Sequence, residues 1–180
     1  CPGANGGAST SGLLVGLSNA LLRRPEPKGN VMLVWTDGEE SMVAYGPNDG
    51  FWGSKRAAAV VAERGLKVRA VICADMIGDA DLHIAIPANG SPELARLALI
   101  AARRIGEKSL VSPMPEHVLD DHVAFLDRGY KAIDLIDFSY GPRNAWWHTA
   151  VDTMDHVSET SLLRSGKLGV EMLKILLEPA

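Results

Sequence analysis

The stretch VMLVWTDGEE, residues 31–40, decides the predicted fold. Its first half, residues 31–35, is a continuous run of apolar, β-favouring side chains, which is typical of a strand buried on both faces of a parallel sheet. Its second half ends on the adjacent carboxylates of Glu39 and Glu40. Open α/β sheets bind ligands at the carboxyl ends of their strands. We therefore expect a buried strand over 31–35 and a functional site that begins directly after it.

Patterns typical of strands and helices alternate along the rest of the chain. Apolar runs predict strands over 68–74, 82–86 and 132–136, and helical spacing predicts helices after residue 11, over 54–64, 92–105 and 121–128, and from a Ser158 cap to residue 177. This alternation predicts the α/β class, with a mostly parallel central sheet flanked by helices. We expect a single domain over 1–180, truncated at its N-terminus because the chain begins with Cys1 instead of Met.

Composition excludes several classes of protein. The net charge of −4 and the lack of a basic run argue against a nucleic-acid partner, because nothing in the sequence would neutralise phosphates. No apolar stretch of the sequence reaches the ~20 residues that span a bilayer. The two cysteines, Cys1 and Cys73, cannot define a disulfide framework, and Cys73 lies in an apolar run typical of a core strand.

Carboxylates at two predicted strand ends are the first candidates for chemistry. Glu39 and Glu40 could divide the work, one binding a cation while its neighbour moves protons, although a solvated acidic turn has the same sequence. Asp75 closes the predicted strand over 68–74, so we expect it at the same edge of the sheet. A simple helix or turn cap is the alternative role for Asp75.

Two later motifs add further candidates. Asp120 and Asp121 are adjacent carboxylates that are costly to bury without partners, and the neighbouring His122 is either a ligand or a packed core histidine. His148 follows a Trp-Trp pair, residues 146–147, in a long loop, which is typical of a pocket wall beside a metal ligand but also of an aromatic anchor.

Taken together, these residues favour zinc. Zinc accepts imidazole and carboxylate, and a catalytic zinc keeps three protein ligands and one open position. Glu40, His148 and one further carboxylate would be such a set. The sequence contains no Gly-x-Ser-x-Gly nucleophile motif, no Walker loop and no dinucleotide-binding fingerprint, so serine hydrolysis and nucleotide chemistry are poor alternatives.

The motifs occur in the order of a known family. PGAN at 2–5, DGEE at 37–40, DMIG at 75–78, DDH at 120–122 and WHT at 147–149 resemble the zinc aminopeptidases of peptidase family twenty-eight and their relatives, the glutaminyl cyclases. The cyclase branch is favoured by the DDH motif and by the segment YGPND followed by WGSK, within residues 45–55. The resemblance implies a zinc-exopeptidase-like (phosphorylase/hydrolase-like) α/β fold, with upstream strands that would precede Cys1.

The resemblance also implies roles for five residues around the metal. Glu39 would be the general acid/base, and Glu40 and His148 would be Zn²⁺ ligands. Asp75 is a second-zinc ligand in the aminopeptidases but a hydrogen-bonding partner of the catalytic glutamate in the cyclases. Asp120 would join that hydrogen-bond network.

The same resemblance implies a substrate pocket and a location. Trp147, Tyr45 and Tyr140 would wall the pocket for a peptide or protein N-terminus. Members of the family are secreted or periplasmic, so we expect such a location here.

One departure from the family pattern concerns the metal. The family has a zinc-binding Asp after Pro-Gly-Ala-x, whereas here Asn5 is followed by Gly6 and Gly7. Either Gly6 replaces that Asp, or one residue is missing between Asn5 and Gly6. We therefore expect weak zinc binding, while the fold still brings five candidates into one cleft: Glu39, Glu40, Asp75, Asp120 and His148.

Three functions remain open at this point. The resemblance favours zinc-dependent conversion of an N-terminal Gln into pyroglutamate with release of ammonia. A zinc aminopeptidase, in which Glu39 would activate a zinc-bound water, is the second. The third is a non-catalytic, peptidase-like binding module, which the absent carboxylate beside Asn5 favours.

Overall fold

The computed structural model describes residues 1–23 and 29–178 as an α/β fold. Its helices are α1 (Thr10–Leu22), α2 (Trp52–Glu63), α3 (Pro92–Arg104), α4 (His122–Leu126) and α5 (Glu159–Leu177), and its strands are β1 (Val71–Asp75), β2 (Ile84–Pro87), β3 (Val111–Met114) and β4 (Ala132–Ile136). A π-helical turn, Ala4–Ser9, leads into α1, and short 3₁₀ turns occur at Pro142–Asn144 and Met154–His156.

The four strands form one mixed sheet in the order β1-β4-β2-β3. β1 is parallel to β4 and β2 is parallel to β3. The two pairs meet in an antiparallel contact at Ala85 and Ile136. The α/β class is confirmed, and the parallel ladders of β1–β4 and β2–β3 account for most of the pairing. Asp75 and Ile136 end neighbouring parallel strands, so the loops that follow them leave from the same edge.

The predicted strand over 31–35 is wrong. This segment has no regular secondary structure and belongs to none of the four strands. Met32, Val34 and Trp35 are 58%, 37% and 50% exposed, respectively, where the pattern predicted burial. A strand needs a hydrogen-bonded neighbour, and within the described residues β1 pairs only with β4. The apolar run instead forms a wall of an open groove beside β1.

Strand β3 was not predicted. It contains Pro113 and lies at the end of the strand order, where a residue without an N–H group is tolerated. Helix α1 begins without a side-chain cap, because the Ser9 hydroxyl donates to the Asn5 carbonyl inside the π-helical turn. At α5 the cap is confirmed, because the Ser158 hydroxyl accepts the N–H of Ser161 at 3.4 Å.

The main hydrophobic core lies between the sheet and helices α3 and α5. Leu94, Ala98 and Ala101 form the buried face of α3, spaced three and four residues apart as a helix requires. Leu168 and Met172 of α5 are fully buried in the same cluster. No helix in the described ranges is long and apolar enough to cross a membrane. This core supports β4 from one side and leaves the carboxyl ends of β1 and β4 free for the site.

Candidate active site

The predicted site residues meet in one groove of about 1550 Å³. The groove runs along β1 and opens beside the loop that follows residue 35. Seven of the eight predicted site side chains line it, together with the backbone of Gly6: Glu39, Glu40, Tyr45, Asp75, Asp120, Trp147 and His148. The expectation that the candidate residues would share one cleft therefore matches the geometry, although the strand that was to carry the first two is absent.

Glu39 is held by backbone hydrogen bonds between the two ends of the loop 37–53. Its carbonyl accepts the N–H of Phe51 at 2.8 Å, and the Gly38 carbonyl accepts the N–H of Trp52 at 2.9 Å. Burial raises the pKa of Glu39 to about 7, and the charges of Glu40 and Asp120 add to this rise. A carboxyl with this pKa exists in both protonation states near neutral pH, as a general acid/base requires.

Glu40 and His148 converge at the mouth of the groove. The Oε1 atom of Glu40 lies 2.6 Å from Nε2 of His148. The Tyr45 hydroxyl lies 3.0 Å from Oε2 of Glu40 and 3.2 Å from Oε1 of Glu39, so it can donate to one carboxylate at a time. Trp147 stacks on the His148 ring with centroids 4.1 Å apart and is itself 37% exposed to the groove. These contacts fix the direction of both predicted zinc ligands.

Asp75 and Asp120 form an acidic pair behind Glu39. Asp75 ends β1, and its Oδ1 accepts the N–H of Met76 at 2.8 Å. Burial raises the pKa of Asp75 well above its usual range, and the charge of Asp120 adds to the effect. Burial likewise raises the pKa of Asp120 to about 6. In these surroundings Asp75 favours its protonated form, and a protonated carboxyl can donate a hydrogen bond to a neighbouring carboxylate.

Sequence reasoning missed Asp134, which lies behind this pair. It occupies the centre of β4, opposite Cys73 in the parallel register, and is fully buried. Neither of its carboxylate oxygens has a hydrogen-bond partner in the described part of the chain. Ligand atoms of Cys73, Asp120 and Asp134 lie within 4.8 Å of one another, so this triad could hold a metal. The only signal in the sequence is a charged residue inside an apolar strand, AIDLI, residues 132–136.

Asp152 ties the opening loop to the site, a role that its sequence position did not reveal. Its Oδ1 accepts the backbone N–H of Asn5 at 2.7 Å and its Oδ2 that of Gly6 at 3.2 Å. The Asn5 side chain in turn accepts the N–H of Gly78 at 2.8 Å. The bonds made by Asp152 and by the Asn5 side chain therefore hold the backbone at Gly6 in place beside the groove.

Tyr140 was expected to line the pocket, but the structure places it elsewhere. It is fully buried, and its hydroxyl donates to Oδ1 of Asp152 at 2.9 Å. Its ring packs edge-on against Trp146, with centroids 5.4 Å apart. In the loop before His148, Trp147 therefore faces the groove, while Tyr140 and Trp146 pack on its inner side and support it.

The donor set is one ligand short of a catalytic zinc site. Glu40 and His148 supply an oxygen and a nitrogen at the right place, whereas a catalytic zinc normally has three protein ligands. Gly6 lines the same groove but offers no side chain. A Cβ atom at Gly6 would meet only Asp152 Oδ2 at 3.4 Å, an ordinary contact. The position could therefore accept a side chain, and the residues present do not complete a zinc site.

His122 is a packed histidine and not part of the acidic site. It is fully buried in α4, and its Nε2 lies 3.1 Å from the Asn89 side-chain nitrogen, which must be the donor. Burial lowers the pKa of His122 to about 4, so the ring is neutral. Its neighbour Asp121 accepts a hydrogen bond from the Thr36 hydroxyl, which links α4 to the loop before Glu39.

Comparison with known proteins agrees with this geometry. The model of the peptidase family M28 matches residues 1–173. The chain belongs to this family. It is 37% identical to the glutaminyl cyclase of an Acidobacteriales bacterium, with a TM-score of 0.91 over 97% of this chain and 62% of that one. It also shares the fold of the Porphyromonas gingivalis glutaminyl cyclase, with 23% identity and a TM-score of 0.85 over 96% of this chain and 63% of that one.

Curated relatives include both branches of the M28 family. The chain is 25% identical to a mouse glutaminyl-peptide cyclotransferase-like protein, over 84% of this chain and 45% of the relative. It is 26% identical to the aminopeptidase YwaD of Bacillus subtilis, over 93% of this chain and 36% of the relative. The chain thus spans less than half the length of either curated relative.

Proposed function

We propose that this protein is a glutaminyl-peptide cyclotransferase, an acyltransferase that converts an N-terminal Gln into pyroglutamate and releases ammonia. The observation that carries the proposal is the position of Glu39, a groove-lining carboxyl with a pKa near 7, in front of the acidic pair Asp75 and Asp120. The similarity to the Acidobacteriales glutaminyl cyclase, at 37% identity, supports the same branch.

The chain's own residues would carry the proton transfers. The α-amine of the substrate attacks the side-chain carbonyl carbon of the same Gln, so one C–N bond forms and the C–NH₂ bond breaks. Glu39 takes the proton from the attacking amine and returns it to the leaving group, which departs as ammonia. An α-amine with a pKa near ~8 is partly neutral at working pH, so a carboxylate is a sufficient base.

Substrate binding would use the aromatic walls of the groove. Trp147 and Tyr45 line the groove beside Glu39, and both contribute uncharged aromatic rings to its walls. Flat aromatic surface suits a small, uncharged amide side chain. Zinc belongs to the proposal with Glu40 and His148 as its ligands. No step is assigned to the ion, because the place of the third ligand is occupied by Gly6.

Asp75 would have different roles in the two enzymes. In an aminopeptidase it would be an ionised zinc ligand, whereas in the cyclase its burial beside Asp120 suits a hydrogen-bonding partner of Glu39. The aminopeptidase remains the second candidate because of the similarity to YwaD. A binding module without activity is the third, and Gly6 is the feature that favours it.

A direct assay separates the three functions. The purified protein is incubated with a Gln-initiated peptide and with leucyl and alanyl amides, and pyroglutamate, ammonia and free amino acids are measured. Pyroglutamate with ammonia supports the cyclase, and free amino acids would move the protein to the aminopeptidase branch. Tight peptide binding without either product would leave the binding module. A secreted or periplasmic location is likewise a proposal, resting on the family resemblance.

A further inference from the structure

The loop between Glu40 and α2 is held by two charged side chains that do not face the groove. We call residues 41–51 the aromatic loop, because it carries Tyr45 and Phe51. The Asp49 carboxylate accepts three backbone N–H groups at its start, from Met42 and Val43 at 2.8 Å each and from Ala44 at 3.1 Å. These bonds lower the pKa of Asp49. The first half of the loop is thus folded around one carboxylate.

Lys55 holds the second half of the same loop. Its Nζ atom, in the first turn of α2, donates to the carbonyls of Gly46 at 2.6 Å and Gly50 at 2.7 Å. The carbonyls of Pro47 and Asp49 lie at 3.4 and 3.5 Å from the same atom. An ammonium group has three donors, so the two short bonds are made fully and the third is shared. Carbonyl oxygens around the charge fix the turn at 46–50.

Two rings of the aromatic loop connect the turn at 46–50 to the carboxylates of the site. Tyr45 stacks on Phe51, with centroids 4.6 Å apart and planes 15° from parallel. The N–H of Phe51 binds the Glu39 carbonyl, and the Tyr45 hydroxyl reaches the carboxylates of Glu39 and Glu40. A Cβ atom at Gly50 would come within 2.5 Å of the Tyr45 ring, so the turn and the ring fit closely. Any movement of the loop therefore displaces Tyr45.

We propose that Asp49 and Lys55 are positioning residues that hold the aromatic loop so that Tyr45 lies against Glu39 and forms one wall of the substrate pocket. The proposal rests on the proposed cyclase function for its kinetic consequence, but the loop itself can be examined without any activity. Met42 and Val43 are 89% and 93% exposed, so apolar burial does not hold the start of the loop in place. The charge-assisted bonds of Asp49 hold the start, and those of Lys55 hold the turn beside the buried Phe51.

The test compares Asp49→Asn and Lys55→Met with matched controls on the surface. Arg56→Met is the control for Lys55, since Arg56 is the next residue of α2 and, among the described residues, pairs only with Glu63 at 3.1 Å. Asp127→Asn is the control for Asp49, since Asp127 is an exposed aspartate beyond α4. Hydrogen–deuterium exchange of residues 42–50 is measured by mass spectrometry. We expect exchange to be ~10- to ~100-fold faster in Asp49→Asn and Lys55→Met, because each variant loses one or two charge-assisted bonds. The controls should exchange as the unaltered protein does.

A double-mutant cycle with Tyr45→Ala tests whether the two residues act through the ring. With Tyr45 present, we expect Lys55→Met to lower kcat/KM for a Gln-initiated peptide by ~10- to ~100-fold, mainly through KM. In the Tyr45→Ala background, Lys55→Met should lower kcat/KM only slightly further. Lys55→Arg should recover part of the loss, because it keeps the charge and donors.

Two results would overturn the proposal: unchanged exchange of 42–50 in both variants, or fully additive effects of Lys55→Met and Tyr45→Ala. If Lys55→Met does not fold, Asp49→Asn takes its place in both measurements. A wild-type protein that forms no pyroglutamate would contradict the cyclase function, and the exchange result alone would then decide the roles of Asp49 and Lys55.

Discussion

Oε1 of Glu40 and Nε2 of His148 lie 2.6 Å apart, although 107 residues of chain separate them. The sheet and the loops that leave β1 and β4 bring together an oxygen and a nitrogen donor of the kind that zinc prefers. The third position of the set falls at Gly6, which has no side chain. The acid–base half of the site, around Glu39, is complete by comparison.

Replacing Glu39 by Gln should stop proton transfer without affecting the metal. We expect turnover of a Gln-initiated peptide to fall by ~10²- to ~10⁴-fold, the usual contribution of a general acid/base, while zinc content stays unchanged. Glu63→Gln is the matched control, because Glu63 is exposed and, in the part of the chain that the structure describes, pairs only with Arg56. Loss of zinc together with activity would make Glu39 a ligand, and near-normal turnover would remove it from the mechanism.

Trp147 and Trp146 should respond differently to truncation. Trp147→Ala removes a groove wall, so we expect a higher KM with unchanged zinc content and little change in the unfolding midpoint. Trp146 is partly buried, stacks on His156 with ring centroids 3.7 Å apart and contacts Tyr140, so Trp146→Ala should destabilise the fold by ~1 to ~3 kcal/mol, less than at a fully buried site. Steady-state kinetics and urea unfolding of both variants check this. Equal effects on stability would mean that Trp147 is only an anchor.

Gly6→Asp should raise the affinity for zinc. The new carboxylate would point into the groove that holds Glu40 and His148, and its Cβ would make only the contact with Asp152. We expect affinity to rise by at least ~100-fold, more than a residue that merely orients a ligand contributes. Gly12→Asp is the control, because Gly12 lies in α1 with open space around it. Metal analysis after dialysis measures the difference.

An Asp inserted between Asn5 and Gly6 should help less than the substitution at Gly6. The bonds of Asp152 to both backbone N–H groups fix the spacing of this pair, and an insertion would shift one of them out of place. Full zinc occupancy in the unaltered chain would show that another residue completes the site. The triad of Cys73, Asp120 and Asp134 would then be the first place to look.

His122 should make stability fall in mild acid. Its pKa drops from 6.5 in the unfolded chain to about 4 in the fold, so the neutral ring stabilises the fold above pH 6.5. That contribution is lost as pH falls from 6.5 to 4, and the shift corresponds to about 3 kcal/mol. His122→Gln can still accept from Asn89 and should remove this pH dependence. Urea unfolding of both proteins at pH 7 and pH 4 gives the difference, and parallel pH profiles would contradict the assignment.

The sequence predicted the α/β class of the fold but not every strand of the sheet. β4 was placed at its observed limits because its pattern is apolar and its neighbours in the sheet cover it. Residues 31–35 have an equally strong pattern, but a pattern cannot say whether a neighbouring strand is present to pair with. β3 was missed because Pro113 argues against a strand. A proline is tolerated in an edge strand, but the sequence does not show which strand lies at the edge of the sheet.

Within the site, motif residues were found and supporting residues were not. Glu39, Glu40 and His148 stand in recognisable motifs, so their meeting in one groove could be predicted. Asp134 and Asp152 act through contacts with distant backbone or side chains, which depend on strand register and loop path. Tyr140 was misplaced for the same reason, since nothing in its sequence context shows which way the ring points.

The most direct measurement of the central claim is mass spectrometry of a Gln-initiated peptide and its Asn-initiated counterpart after incubation with the protein. The Asn side chain is one methylene shorter and cannot close the five-membered ring. With zinc added, we predict that the Gly6→Asp form converts the Gln peptide alone to its pyroglutamyl form with loss of ammonia, and that the unaltered chain does so more slowly. Release of free N-terminal residues, or no product from either form when zinc is bound, would contradict the account.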